Sequence, residues 1–574
     1  MRELSLTNNA LAAPRSSGNL RPIIWLTLVG LAALLPAFIF GVPSNLDLSN
    51  HFRFALPFYE AIQQGHLYPG WLAESNAGYG DASFRFYPPG VYYLLAIARF
   101  ISGYWYTATL SVITVISVTG AFGVYFWARQ FLTEQVAIWA GIFYVLAPYH
   151  VNQLYQAFML AEFAGAALLP FLLAFTERIC RPRVPDVLKA GMRSRVADIA
   201  GLAASIAALV LTHLPLAAIS LLVLPIYALL RMEKEQFWMT VGRLALAVGL
   251  GLAASACYWL TMVAELSWIR ADNVKPDPSV DFRRNFVFST FSPDNLNVWW
   301  MNLLVFASIA MFWPCVMLFR RSWQDGIKTS GPRSAAIVAI VALFFATPLS
   351  RPLWSIFTPL QYVQFPWRWL IVTSVAAAVA LAAAIPFWIT TLRDKRRPLL
   401  LLALGTVVIS LAFSGLHTVR EAQFLDTARF EATLREIPGS TGVSQWWPVW
   451  VKEPWKEMNS LVDAGSRSVS VKSWQPEKRS FQVAAGASSD VRVRTFFYPH
   501  WLATAGNQSL NVRPDADGAL LISVPAGETL VSLEFREPRR VYWTAAFSIL
   551  GWLTIAVLAG AALRGRAFFR GIRG

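Results

Sequence analysis

Asp47 and His51 stand four residues apart in Asn45-Leu46-Asp47-Leu48-Ser49-Asn50-His51, just beyond the first long apolar run. At i, i+4 spacing a carboxylate and an imidazole share one face of a short helix, here at the water-membrane boundary. Such a pair could serve as a proton-accepting base or as a cation ligand, and two residues decorating a solvated loop would look the same. Their company decides. His150 closes Ala147-Pro148-Tyr149-His150, and Glu162 sits in Met159-Leu160-Ala161-Glu162-Phe163. His213 follows in Leu211-Thr212-His213-Leu214-Pro215, and Arg368 in Gln364-Phe365-Pro366-Trp367-Arg368. An ionisable group at the centre of a membrane helix costs about 2.5–3.5 kcal/mol on insertion scales, so these residues should face a protein interior or a wet cavity. Plainer roles compete: His213 as a helix-end cap, Glu162 as the partner of an arginine, Arg368 snorkelling to head groups and His150 resting at the interface. Trp71, Tyr87 and Trp367 offer flat faces for a sugar, although an aromatic belt accounts for many such residues.

The elements that must position these groups are membrane helices. Of the 574 residues 56% are hydrophobic and only 14% charged, and the mean hydropathy is +0.46, which excludes a string of soluble domains. Apolar runs begin near Ile23, Tyr106, Gln135, Ala157, Val196, Leu214, Val241, Val298, Ser334, Trp367, Leu399 and Val541, predicting about twelve spans of roughly 20 residues. The net charge of +16 comes from Lys and Arg gathered in short loops, which topology explains without nucleic-acid binding. Placing Arg178/Arg181/Arg183, Arg231/Lys234, Arg320/Arg321, Arg393/Lys395/Arg396 and Arg564/Arg566/Arg570 in the cytoplasm gives one consistent alternation. Both termini are then cytoplasmic, provided that the apolar stretch 88–101 lies on the surface. The candidate polar residues all fall at outer ends, with few counterparts expected at the inner ends. The first run, with Pro36 and no small-x-small cleavage site, reads as a retained span. Cys180, Cys257 and Cys315 show no paired spacing, so neither a disulfide nor a zinc site is expected.

Three regions follow from this topology. Residues 1–416 form the transmembrane part with a large first extracytoplasmic loop, 42–104; residues 417–540 form an extracytoplasmic module; residues 541–574 form the last span and a basic tail. Within the module a helical pattern runs to Glu436. Beyond Pro438-Gly439, the runs Ser468–Val471, Val491–Arg494 and Leu520–Val524 alternate with period two, separated by turn signals such as Asp517-Gly518. That predicts a small β-sandwich.

The order of these pieces carries a resemblance. An aspartate after the first span, then Tyr68-Pro69-Gly70-Trp71, then Phe86-Tyr87-Pro88-Pro89-Gly90-Val91-Tyr92-Tyr93-Leu94, resembles the first loop of lipid-linked-sugar glycosyltransferases of the GT-C superfamily. With Glu162, Thr212-His213, Gln364–Arg368 and Phe497-Tyr498-Pro499-His500-Trp501, most of the chain is similar to the bacterial membrane-protein family labelled 6-pyruvoyl-tetrahydropterin-synthase-related. The resemblance implies a mainly α, GT-C-like bundle in the bacterial inner membrane. It implies inverting transfer of a sugar from a polyprenyl-phosphate carrier to a glycan, lipid or protein acceptor. Asp47 would be the base, His51 or Glu162 would orient it or the acceptor, and Arg368 with Arg53 or Arg85 would hold the phosphate. Trp71, Tyr87 and His213 complete the expected substrate-binding set. A pterin-synthase activity is not expected, because the six histidines are not grouped as a soluble zinc site requires. Two departures stand out: His500 replaces the glycine usual in that motif, and no second acid follows Asp47 at DxD spacing. Dependence on a divalent metal ion is left open. The rival is a transporter or flippase, or a non-catalytic protein of cell-envelope polysaccharide assembly, although repeated halves and midplane charges are missing.

Overall fold

The computed structural model describes residues 20–181, 188–270, 281–287, 331–391, 397–437, 442, 446–452 and 454–571. Runs such as Ala376-Ala377-Ala378-Val379-Ala380-Leu381-Ala382-Ala383-Ala384 combine helix propensity with side chains small enough to let neighbouring helices approach closely. That run lies in the span Pro366–Pro386, which is 89% buried, and beside it Leu160–Cys180 is 78% buried. These two helices form the centre of the bundle. Arg539–Ala561 is only 17% buried, as expected of a helix that turns most of its apolar surface to lipid.

Among the described residues seven helices are long and apolar enough to span a membrane, or up to eight if Gly331–Ala346 and Pro348–Ile356, bent by 80°, count as one. The expected twelve are thus matched only in part among the described residues. The run near Ile23 forms only a 13-residue helix, Arg21–Ala33, that breaks before the short helix Leu35–Phe40 with its proline in the first turn. The run near Gln135 gives 12 residues, Glu134–Val145. The run near Val298 lies outside the described residues, as does Cys315. The stretch 88–101 is a 13-residue helix, Gly90–Ser102, ended by Gly103 in the left-handed conformation at φ 75°.

The C-terminal part is β-rich. One sheet has the order β3 (Val462–Asp463), β6 (Ser489–Phe496), β10 (Ala519–Val524), β9 (Val512–Pro514). The other has the order β4 (Val469–Trp474), β5 (Lys478–Val483), β11 (Thr529–Phe535), β7 (Trp501–Ala505), β8 (Gln508–Leu510). Val491 and Val493 of β6, Leu520 and Ile522 of β10, Phe481 of β5 and Val531 and Leu533 of β11 are fully buried in one cluster. Alternation with period two thus turns one face of each sheet inward, as in a sandwich.

The first loop enters this core. Trp71, Tyr79, Ala82 and Phe86 belong to the same buried cluster, and the Phe496 amide donates to the Tyr79 carbonyl at 2.8 Å. A short ladder, β1 (Val42–Pro43) against β2 (Phe424–Leu425), joins the loop's start to the segment leading into the module.

Candidate functional site

Asp47 precedes the helix Leu48–Gln63, and its position is fixed from behind by its amide, which donates to the Ala157 carbonyl at 3.1 Å. The side chain does not cap that helix. Instead Oδ1 accepts from Asn50 Nδ2 at 3.3 Å, and Oδ2 has no partner among the described residues. Asp47 is half-buried, not the solvated loop residue that its position suggested. Burial pushes its carboxyl above the usual carboxylate range, opposed by the Asn50 bond and by the positive charge of Arg368.

His51 is engaged by partners other than Asp47. It is buried; its Nε2 accepts from the Leu160 amide at 3.0 Å and its Nδ1 meets the Tyr92 hydroxyl at 3.1 Å. Because Nε2 accepts, the proton sits on Nδ1 in the neutral ring. Burial pushes its pKa down to about 3. The pairing of Asp47 with His51 on one working face is therefore corrected: His51 caps the helix Leu160–Cys180 and holds its first turn in place.

That turn carries Glu162. Its Oε1 accepts from Tyr149 Oη at 2.7 Å and from Gln153 Nε2 at 3.0 Å; its Oε2 pairs with Arg368 Nε at 2.9 Å. His213 Nε2 stands 3.9 Å from the same oxygen, while its Nδ1 accepts from the Leu216 amide at 3.2 Å. His213 is thus a helix cap that also faces Glu162. Gly165 permits this approach, since a Cβ there would lie 2.9 Å from Leu216 Cδ2.

Arg368 does not snorkel. Beyond Glu162, its Nη1 donates to the Val363 carbonyl at 2.6 Å, and its guanidinium lies 4.7 Å from the Phe365 ring centroid. Its Nη2 has no partner among the described residues. Trp367, the stacking candidate, is itself stacked on Phe365 with centroids 4.2 Å apart. Tyr87 completes the group: it stacks on Phe54 at 4.9 Å and shares a hydrogen bond with Tyr92. Burial and the nearby Asp47 carboxylate raise its hydroxyl pKa, while the charge of Arg368 opposes them. Asp47, Glu162, Arg368 and Tyr87 therefore share one electrostatic environment. Leu46 (φ 44°), Phe158 (φ 45°) and Gln364 (φ 66°) are three of the five non-glycine residues with positive φ among the described residues, and each borders this site. Backbone strain of this kind costs about 1–3 kcal/mol per residue and persists where surrounding structure enforces it.

Other candidates stand elsewhere. Arg85 is 3% exposed and clamped between Glu265, at 3.1 Å, and Glu537, with His500 and Arg540 on the same carboxylates. Its donors bind protein carboxylates, which corrects the phosphate role. Trp71 is 1% exposed and packs edge-on against Trp501 at 5.5 Å, so it is core and not a sugar platform. Arg53 donates to Asn50 Oδ1 at 2.8 Å, forming a chain Arg53–Asn50–Asp47. His150 is buried in a stack with Phe163. Tyr149, Gln153, Asn50 and Tyr92 were missed as site residues, since neutral polar residues near helix ends carry no sequence signal of their own. Few charges were expected at the span ends away from this cluster, yet Glu177 and Asp198 are fully buried there, paired with Arg231, Arg181 and Arg178. Among the described residues no group of three or more His, Cys, Asp or Glu side chains could hold a metal ion, so no step here is routed through one.

A model of the 6-pyruvoyl-tetrahydropterin synthase related domain, a membrane protein, matches residues 84–420. The chain belongs to this family. The family match takes in Tyr87, Glu162, His213 and Arg368, while Asp47, His51, Arg53 and Trp71 precede it. No curated protein matches. Among solved structures the family member is similar to the Archaeoglobus fulgidus oligosaccharyltransferase, at 12% identity and TM-score 0.46, over 72% of this chain and 58% of that one. It is similar to ArnT from Cupriavidus metallidurans bound to undecaprenyl phosphate, at 14% identity and TM-score 0.42, over 74% and 77%. It is also similar to the mycobacterial arabinofuranosyltransferase AftD, at 13% identity and TM-score 0.46, over 70% of this chain and 28% of that one. The family member thus spans little more than half of the archaeal enzyme and under a third of AftD.

Proposed function

We propose that this protein transfers a sugar from a polyprenyl-phosphate carrier to an acceptor hydroxyl on the extracytoplasmic side of the bacterial inner membrane. The observation that carries this reading is a half-buried carboxylate, Asp47, with one oxygen unpartnered among the described residues, in the field of a guanidinium that Glu162 holds and that keeps Nη2 unengaged among the same residues. An acceptor hydroxyl gives its proton to Asp47 while its oxygen attacks the anomeric carbon. The bond from that carbon to the phosphate oxygen breaks, and the polyprenyl phosphate leaves with the electron pair. Configuration inverts. A base whose pKa is raised toward the working pH is the better proton acceptor, provided that it stays ionised. Arg368 Nη2 supports the charge that builds on the leaving phosphate, and Glu162 fixes the guanidinium so that little reorganisation is needed. Tyr87 closes the site with a hydroxyl that stays protonated and can donate.

The test is turnover of polyprenyl-phosphate sugars by wild type and Asp47→Asn at matched amounts, with binding of the lipid donor measured alongside. General-base assistance is worth a factor of about 10² to 10⁴, so the variant should lose that much while still binding donor. Full turnover in Asp47→Asn removes the base; loss of donor binding alone reassigns Asp47 to holding the donor.

A further inference from the structure

On the helix Leu48–Gln63, residues 47, 50, 53, 57 and 60 recur at intervals of three or four and share one face. Past Asn50 that face opens on a cleft of about 170 Å³, lined on the helix side by Arg53, Leu56, Pro57 and Glu60. The opposite wall includes Glu74 and Asn76, and Ile437 closes one side. Asn76 makes that wall rigid: it sits at φ 56°, donates to Asp81 Oδ2 at 3.0 Å and accepts from the Gly442 amide and Trp447 Nε1, both at 2.8 Å.

The lining is amphiphilic. Leu56, Pro57 and Ile437 supply apolar contact, Arg53 supplies a cation, and Glu60 and Glu74 supply acceptors. Partial burial of its carboxyl and, second to it, the nearby Glu74 charge raise the pKa of Glu60. A lone cation is a poor occupant beside Arg53, and an anion is a poor one between two carboxylates. A polyhydroxyl ring suits both walls: its hydroxyls donate to carboxylates and accept from arginine, and its C–H face lies on proline and leucine. At about 30 Å³ per displaced water the cleft holds the equivalent of five or six waters, room for one small ring and not for a lipid chain. Arg53 stands about 9 Å along the helix axis from Asp47, more than one sugar unit away from a reacting hydroxyl.

We infer that this cleft binds a non-reacting saccharide ring of the acceptor, so that the acceptor is a glycan or glycoconjugate of at least two rings; this rests on the transferase reading above. Remote contacts of this kind hold the acceptor in register with Asp47, to which Arg53 is connected through Asn50.

The test uses the full-length protein in lipid nanodiscs and a panel of methyl glycosides (glucoside, galactoside, mannoside and N-acetylglucosaminide), with binding followed by saturation-transfer NMR. One or more should bind wild type in the millimolar range. Glu60→Gln/Glu74→Gln should weaken that binding about tenfold, as loss of hydrogen bonds to charged groups does, with an unchanged melting temperature and unchanged binding of polyprenyl phosphate. Both glutamates are exposed, so the double variant should fold. The inference is overturned if no glycoside binds wild type, if the double variant binds equally well, or if it loses magnesium or calcium binding in place of glycoside binding. Asp47→Asn separates the two readings. If it keeps full transfer while glycosides still bind in the cleft, the transferase mechanism falls and the saccharide site stands.

Discussion

The helix Leu160–Cys180 carries a buried glutamate near each end, about 22 Å apart along its axis, and the two are built for different purposes. Glu177, near the C-terminal end, has both oxygens bonded. Arg231 grips both its oxygens at 2.7 Å, Arg181 adds a third contact at 3.2 Å, and Tyr227, held by Trp127, donates at 2.8 Å. Arg231, Arg181 and Tyr227 all converge on this one carboxylate. Glu162 is also fully bonded, but its arginine is anchored through Nε and Nη1, leaves Nη2 without a partner among the described residues, and has its charge felt at the carboxyl of Asp47. Two ion pairs of similar burial therefore differ in what they leave over. The Glu177 pair ties three helices together, whereas the Glu162 pair leaves over a donor, Arg368 Nη2, with no partner among the described residues.

The contrast predicts opposite signatures. Glu177→Gln removes the carboxylate that Arg231 and Arg181 share, and breaking a buried pair costs about 3–5 kcal/mol. Its melting temperature and folded yield should fall sharply, while turnover per folded molecule stays near wild type. Glu162→Gln should show the reverse weighting: a smaller loss of stability, because Phe365 and the Val363 carbonyl still hold Arg368, and a large loss of turnover per folded molecule. Equal effects in both variants would erase the distinction.

Arg368→Lys sharpens it further. Lysine cannot replace a planar fork that binds Glu162, the Val363 carbonyl and a phosphate oxygen at once. Turnover should drop at least about tenfold with weaker binding of polyprenyl phosphate, whereas Arg231→Lys should alter melting without altering donor binding. Unchanged donor binding in Arg368→Lys would mean that Nη2 does not meet the phosphate.

How much of this was legible in the sequence depends on whether a residue's role is set locally. The membrane class, the period-two strands and the identity of Glu162 and Arg368 as interior groups follow from burial cost and side-chain alternation, which are local properties. The roles of Arg85 and Trp71 were not legible, because both are decided by partners 180 to 464 residues away: Glu265 and Glu537 for one, Trp501 and Phe535 for the other. The first loop was read as a free extracytoplasmic segment, yet residues 71–86 complete the core of the sandwich. Glu177 was missed because its charge sits in a run of basic residues that topology alone explains. The i, i+4 spacing of Asp47 and His51 misled for a related reason. Spacing does not fix partners: the His51 ring is taken up by the Leu160 amide and the Tyr92 hydroxyl, neither of which lies on its own helix.

The smallest expected effect concerns pH, and it separates those two residues most cleanly. Transfer needs Asp47 ionised, so kcat/KM should fall as pH is lowered through a value above the ordinary carboxylate pKa of about 3.9. Stability should run the other way. A carboxyl whose folded pKa exceeds its unfolded value contributes stability that is present below the unfolded pKa and lost as pH rises through the folded one. At neutral pH the ionised Asp47 therefore costs stability, and Asp47→Asn should melt no lower than wild type, with the difference shrinking in acid. His51, held neutral with a pKa of about 3, does not titrate in the same window. His51→Gln keeps an acceptor for the Leu160 amide, so it should lower turnover modestly and leave the acid limb of the pH profile where it was. A limb that moves in His51→Gln but not in Asp47→Asn would assign the proton to the histidine and overturn the Glu162 half of the comparison.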